Sequence, residues 1–142
     1  MLQSQISAHF RIQGERLIAG DLASIALHYS FPLPVHFPND LTVAFSPEQS
    51  NAMLEKRRQD LVARGVVALR PNITALDMPR EGRFRVWVDW KEQTATGSEM
   101  RGSSAIYYCR AGAFGLQTEM IQYVHVSEPG QPVTQEDLAL SA

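Results

Sequence analysis

Apolar residues near the start of the chain recur every three or four positions, which is the spacing of one face of an α-helix. These positions are Leu2, Ile6, Phe10 and Leu17. The pattern predicts an amphipathic helix over residues 3–19, and Gly20 follows it as a typical helix-ending residue. Asp21 then precedes the segment LASIALHY, so we expect a second, shorter helix with Asp21 as its N-cap.

The next segment is interrupted by prolines and cannot be helical. Three prolines fall within residues 32–38, and proline both lacks the amide donor and clashes with the preceding helical turn. PVHF and LTVAF are predicted as short strands around the turn at residues 38–40. A third helix is predicted to start after Ser46, which forms a capping box with Gln49, and to end at Gly65.

From Val66 onward apolar and polar residues alternate, which is the period of a half-buried β-strand. The first run carries Pro71 and is therefore expected to be an edge strand or to contain a bulge. Three further runs are joined by short turns, two of which contain glycine. Strands joined by such short turns must pair antiparallel. The strand RFRVWVDWK divides into two faces. The face expected to pack on the helices carries Phe84, Val86, Val88 and Trp90. The opposite face carries Arg83, Arg85, Trp87, Asp89 and Lys91.

Composition narrows the class of protein. The chain has 142 residues, a hydrophobic fraction of 44% and a net charge of -2, which is typical of one globular domain and gives no electrostatic reason to expect nucleic acid. No run is long enough for a membrane helix and no signal-peptide core is present, so we expect no membrane partner and a cytoplasmic protein. Cys109 is the one cysteine, which excludes an intrachain disulfide and a zinc site of cysteine type.

The order of three helices, an inserted hairpin and a long meander resembles the nuclear transport factor 2-like superfamily, also called the cystatin-like α+β cone. The segments that carry the resemblance are AGDLASIALHYS, SPEQSNAML, VWVDW and GLQTEMIQYVHVS. Within the superfamily the chain is most similar to the SnoaL-like branch, which includes cyclases, isomerases and hydrolases. The chain departs from the family pattern in placing Phe114 before Gly115, where many members have an aromatic after the glycine.

This resemblance implies an α+β fold in which three N-terminal helices pack on a strongly curved, mostly antiparallel sheet. The sheet forms a cone with an apolar pocket, and one domain covers residues 1–128. Residues 129–142 are then a polar tail, either with one short helix capped by Thr134 or without regular structure.

Candidate catalytic residues come from the last strand and the first short strand. Tyr123 and His125 are two positions apart, so both are expected on one face together with Ile121. A histidine and a tyrosine in an apolar pocket suit proton transfer next to a carbonyl group. The resemblance puts His36 near the pocket mouth as a third member. The alternative is a packed aromatic strip whose polar atoms bond to the backbone.

Candidate ligand contacts are expected where the second helix ends and where strands line the pocket. These residues are His28, Tyr29, Phe37, Trp90 and Ile121. A histidine at a helix C-terminus is also favoured by the helix dipole alone, without any ligand. No nucleotide-binding or metal-binding motif is present, so we expect neither a cofactor nor a metal.

Three further possibilities concern single residues. Trp87 and Arg85 on the outer face suit a homodimer interface, although Arg85 with Asp89 could instead face the cavity as an acid-base pair, as in epoxide hydrolases of the superfamily. Asp40 lies near the position of the base in ketosteroid isomerases. The first helix has Phe10 and no tyrosine, so Asp40 is more simply a turn residue. Cys109 is expected to be a buried, unreactive thiol.

Two functions stay open at this point. The first is a dimeric binder of a small apolar ligand in the cone pocket. The second is an acid-base enzyme, of isomerase, cyclase or hydratase type, acting on an apolar carbonyl-bearing metabolite. The second requires at least two titratable side chains that meet inside the cavity. A third, a scaffold that binds partners through its outer sheet face, has less support.

Overall fold

A computed structural model describes residues 3–127, and the elements follow one another in the predicted order. They are α1 Gln3–Ala19, α2 Leu22–Ala26, β1 Leu33–Phe37, β2 Asp40–Ala44, α3 Pro47–Ala63, β3 Val66–Leu76, β4 Arg83–Thr94, β5 Glu99–Gly112 and β6 Gly115–His125. The expected tail over 129–142 lies outside the described residues. In the part of the chain that is described, no helix is long and apolar enough to cross a membrane.

The predicted helix caps are present. Asp21 accepts a hydrogen bond from the Ser24 amide at 3.4 Å, and Ser46 Oγ accepts one from the Gln49 amide at 3.2 Å. Helix α2 ends at Ala26, earlier than predicted. The chain beyond it pairs instead with β6, where the Thr118 amide donates to the His28 carbonyl at 2.7 Å. Strand-like pairing thus competes successfully with a further helical turn.

One six-stranded mixed sheet has the order β2-β1-β6-β5-β4-β3. All neighbours are antiparallel except β1 and β6, which are parallel. Strand β3 is at the edge and its register shifts on both sides of Pro71, as proline in a strand predicts. Further register shifts occur in β4–β5 and β5–β6 pairing. Such bulges bend and twist strands, which produces the strong curvature of the cone.

The core lies between the helices and the concave face of the sheet. The four inward residues predicted on β4 are all buried, as are Ile6, Phe10 and Leu17 of α1. Gly14 allows α1 to lie close to the sheet, because a Cβ there would be 2.9 Å from the Trp90 ring and 3.1 Å from the Leu69 carbonyl. The helices therefore cover the apolar sheet face, as the alternation predicted.

Candidate functional site

Two adjoining chambers lie between the helices and the concave sheet face. The inner chamber has a volume of about 50 Å³ and its wall includes His9, Phe10, Trp90, Tyr107 and Thr118. The outer chamber has a volume of about 240 Å³ and its wall includes Leu33, Val35, Phe37, Met53, Ile121 and Ser127. Four residues border both chambers, and we call them the collar: Tyr29, Leu54, Arg57 and Tyr123.

Aromatic rings form much of this wall. The Tyr123 ring stacks on the Phe37 ring with centroids 5.3 Å apart, and the Tyr107 ring lies 4.8 Å from that of Phe10. Trp90 Nε1 donates a hydrogen bond of 2.9 Å to Tyr107 Oη. Because this oxygen accepts from the indole, the hydroxyl of Tyr107 keeps its own proton as a donor. The wall is therefore flat and apolar, with phenol groups set into it.

Burial decides the protonation of two of these phenols. It raises the pKa of Tyr29 above the usual value and that of Tyr107 well above it, and the neighbouring Tyr123 acts in the same direction. Arg57 opposes the effect on both pKa values, but more weakly than burial raises them. Both hydroxyls stay protonated at neutral pH. They can donate hydrogen bonds to a ligand, and they cannot act there as bases.

His9 is the imidazole on the inner chamber wall. Its ring makes edge-on contacts with Phe10 at 4.9 Å and His28 at 5.0 Å between centroids. Burial lowers the pKa of His9 to about 4, and His28 and Arg16 lower it further as nearby cations when charged. His9 is therefore neutral at pH 7.

His9 should make the folding stability depend on pH. Between its ordinary pKa of 6.5 and about 4 in the fold, the unfolded chain binds more protons, so stability rises with pH across this window. The full loss below the window corresponds to roughly 3 kcal/mol. We expect His9→Gln to flatten the free energy of unfolding over this range, as measured by urea denaturation at several pH values. An unchanged slope would contradict this assignment.

A partly buried polar network is connected to the collar through Arg57. Arg57 Nη2 donates to Ser103 Oγ at 2.8 Å, and Ser103 Oγ also accepts from the Ser127 amide at 3.2 Å. Ser127 Oγ donates to Glu92 Oε2 at 2.6 Å. Arg64 binds both carboxylate oxygens of Glu92, which is 0% exposed. The network therefore connects the cavity wall to an ion pair whose carboxylate is fully buried and whose arginine side chain is 15% exposed.

Sequence reasoning missed this network and His9. A usable signal existed for Glu92, since it continues the inward series of Phe84, Val86, Val88 and Trp90 on β4. A carboxylate at an inward position needs a buried cation. His9 carries no comparable signal. It lies next to Phe10 at the edge of the apolar face of α1, and the helical period does not tell whether such a flanking residue is buried.

The structure brings five of the predicted site residues to the cavity: Tyr29, Phe37, Trp90, Ile121 and Tyr123. His28 lies instead in a shallow groove outside the cone, beside Phe114 and Leu116. Its Nδ1 donates to the Leu116 carbonyl at 3.0 Å. His28 thus holds the end of α2 against β6 and reaches the inner chamber only through its contact with His9.

The expectation that His125 shares a face with Tyr123 is wrong. Tyr123 pairs with Ala105 and His125 with Ser104, so the register shifts at Val124. The extra residue turns His125 to a groove on the outer sheet face, because a bulge reverses the alternation beyond it. His36 lies on the other face of β1 from Val35 and Phe37, which line the outer chamber. The three expected catalytic residues therefore do not meet.

The alternative that Arg85 and Asp89 face the cavity as an acid-base pair is also wrong. Arg85 Nε pairs with Asp77 at 2.7 Å, and its guanidinium lies 4.7 Å over the Trp87 ring on the outer face. Asp40 is exposed and accepts from the Leu41 amide at 2.8 Å, as a turn residue does. Burial raises the pKa of Cys109 to about 12, so this thiol is unreactive at neutral pH, as expected.

Solved structures share this fold. An NTF2-like protein with a cystatin-like fold from Novosphingobium aromaticivorans aligns with a TM-score of 0.63 at 12% identity, over 99% of this chain and 88% of its own. ActVI-ORFA from Streptomyces coelicolor aligns with a TM-score of 0.63 at 20% identity, over 86% and 95%. A protein from Catenulispora acidiphila in complex with S-DNPA aligns with a TM-score of 0.61 at 16% identity, over 84% and 91%.

No protein-family model and no curated protein matches the sequence. At these identities the structural likeness concerns the fold. It agrees with the element order, the mixed sheet and the helical cover described above. The chain therefore has the nuclear-transport-factor-2-like, or cystatin-like, α+β cone fold that its sequence pattern predicts.

Proposed function

We propose that the cone cavity binds one small, flat, mainly apolar ligand. The observation that carries this proposal is the pair of chambers joined at the collar, with aromatic walls and phenol groups between them. The outer chamber of about 240 Å³ is close to the lower end of ligand pockets in proteins, about 300 Å³. The ligand is accordingly small, and the Tyr123 and Phe37 rings favour a planar one.

The polar groups of the wall suit recognition of an acceptor. Tyr29 and Tyr107 hold their protons because burial raises the pKa of each. A carbonyl or ether oxygen of the ligand can accept from them. A phenol left unpaired in such a wall costs about 1–3 kcal/mol, so ligands that offer an acceptor are preferred over plain hydrocarbons. The complex of the Catenulispora acidiphila protein with S-DNPA supports a ligand-binding role for this fold.

An acid-base enzyme acting on an apolar carbonyl compound is the second candidate. The presence of Tyr29 and Tyr107 at one cavity favours it, since protonated phenols can stabilise an enolate. Such an enzyme also needs a base. The imidazole at the inner chamber wall, that of His9, has a pKa of about 4 and is a weak base. The carboxylate of Asp60 borders the outer chamber and not the inner one that Tyr107 lines. Binding without chemistry is therefore the function that the geometry supports best.

Filling the outer chamber tests the binding proposal. N-phenyl-1-naphthylamine is an uncharged planar probe, and we expect the protein to bind it by titration calorimetry. Met53 lines the outer chamber, so Met53→Trp should occupy its space and weaken binding by about tenfold or more.

The matched control is Met78→Trp, which makes the same substitution at an 88% exposed position in the loop between β3 and β4. Binding by this control should equal that of the unchanged protein. Equal weakening by both variants, or no binding by the unchanged protein, would refute the proposal.

The proposal includes a homodimer formed through the outer sheet face. This face carries Trp87 under the Arg85 guanidinium, with the exposed Val124 in the adjacent groove. Tryptophan and arginine are common interface anchors. We expect Trp87→Glu to halve the mass measured by light scattering, because it places a charge in the interface. The same mass for both proteins would exclude an interface at this position.

A further inference from the structure

Arg57 is the charged member of the collar. Its side chain borders both chambers, its guanidinium lies 5.8 Å from the Tyr123 ring centroid, and Nη2 donates to Ser103 Oγ. Within residues 3–127, no carboxylate lies at ion-pair distance from Arg57. This differs from its neighbour on α3, Arg58, which pairs with Glu55 at 3.3 Å. Among the described residues, Arg57 thus faces the cavity without an anionic partner.

The charge balance of the buried network identifies Arg57 as the unmatched cation. Over residues 3–127 the network contains two guanidinium groups, those of Arg57 and Arg64, and one carboxylate, that of Glu92. Arg64 occupies both oxygens of Glu92, so the single negative charge is already matched. One positive charge remains, and it is on the cavity side.

The other charges at the outer chamber do not alter this balance. Lys56 and Asp60 also border that chamber, and their charges are opposite. A partly buried cation is costly unless an anion or several hydrogen bonds compensate for lost hydration. The guanidinium has five N–H donors in a planar fork that fits a carboxylate. Ser103 holds one branch of the fork and thereby fixes its orientation.

We propose that the ligand of the cone cavity is an organic acid, with a flat apolar body between the aromatic walls and an anionic group on Arg57. This inference rests on the proposed function and adds the charge of the ligand to it. The carboxylate pairs with the guanidinium at the collar. The apolar body occupies the outer chamber beside Phe37 and Tyr123. Glu92 and Arg64 act at a distance, because they fix the serines that orient Arg57.

Two probes with the same ring skeleton test this inference. 8-Anilinonaphthalene-1-sulfonate carries one negative charge, and N-phenyl-1-naphthylamine is its uncharged counterpart. We expect the unchanged protein to bind the sulfonate at least about tenfold more tightly. Arg57→Met should lower the sulfonate affinity by about 10- to 100-fold, as loss of a charge-assisted contact predicts, with a much smaller effect on the neutral probe. Arg57→Lys should retain part of the preference.

Arg58→Met is the matched control, since it removes the same charge from the same helix outside the cavity wall. It should keep the preference for the sulfonate. Equal losses in Arg57→Met and Arg58→Met, equal losses for both probes, or no preference in the unchanged protein would each overturn the inference. If Arg57→Met fails to fold, the inference is tested by the affinities of Arg57→Lys and of the unchanged protein for the two probes. Absence of binding by the neutral probe to the unchanged protein would instead count against the proposed function.

Discussion

Arg64→Met is expected to lower the free energy of unfolding by about 3–5 kcal/mol. The substitution removes the cation from Glu92, which is 0% exposed and retains only the Ser127 hydroxyl among the contacts seen within residues 3–127. A buried carboxylate with one hydroxyl donor and no cation has lost its hydration without full compensation. Urea denaturation at neutral pH measures the loss.

A double substitution separates the cost of an unpaired charge from the net value of the pair. Arg64→Met combined with Glu92→Leu should be less destabilising than Arg64→Met alone, because no charge remains buried. Arg11→Met is the control, since the Arg11–Glu15 pair is exposed on α1 and its loss should cost less than about 0.5 kcal/mol. A cost for Arg64→Met as small as that of the control would contradict the described ion pair.

Phe10→Ala is expected to cost about 3–5 kcal/mol of unfolding free energy. Phe10 is 1% exposed, its ring contacts that of Tyr107, and it forms part of the inner chamber wall. Truncation removes the apolar contacts and leaves a larger void between α1 and the sheet. Thermal and urea unfolding both report the change.

Phe114→Ala provides the control for this second substitution. Phe114 is 63% exposed at the turn between β5 and β6, so removing its ring should change stability by less than about 0.5 kcal/mol. If the free energies of unfolding of the two variants differ by less than about 1 kcal/mol, the Phe10 ring does not stabilise the packing of α1 on the sheet.

The fold could be predicted because its determinants are local. The cap at Ser46, the glycine after α1 and the alternation from Phe84 to Trp90 each act within a few residues, and each is found as predicted. The resemblance to a known order of elements then supplied the arrangement of the elements. What remained hidden depends on pairing between distant segments.

His125 shows why part of the site could not be predicted. Counting by two from Tyr123 places both side chains inward, and this count holds only in a regular strand. The bulge at Val124 exists because β6 pairs with β5 in a shifted register around Ser104. That register is set by a segment some twenty residues away in sequence, so periodicity along β6 alone does not contain it. Tyr29 was predicted because the resemblance places the end of the second helix near the pocket, although that helix ends at Ala26.

Within the described chain, two residue pairs join β1 to β6, Val35 with Ile121 and His36 with Gln122. The hairpin of β1 and β2 is therefore the cavity wall whose detachment breaks the fewest backbone pairings. Leu33, Val35 and Ala44 of this hairpin are at most 2% exposed, so burial of apolar side chains, more than backbone pairing, holds it against the rest of the sheet.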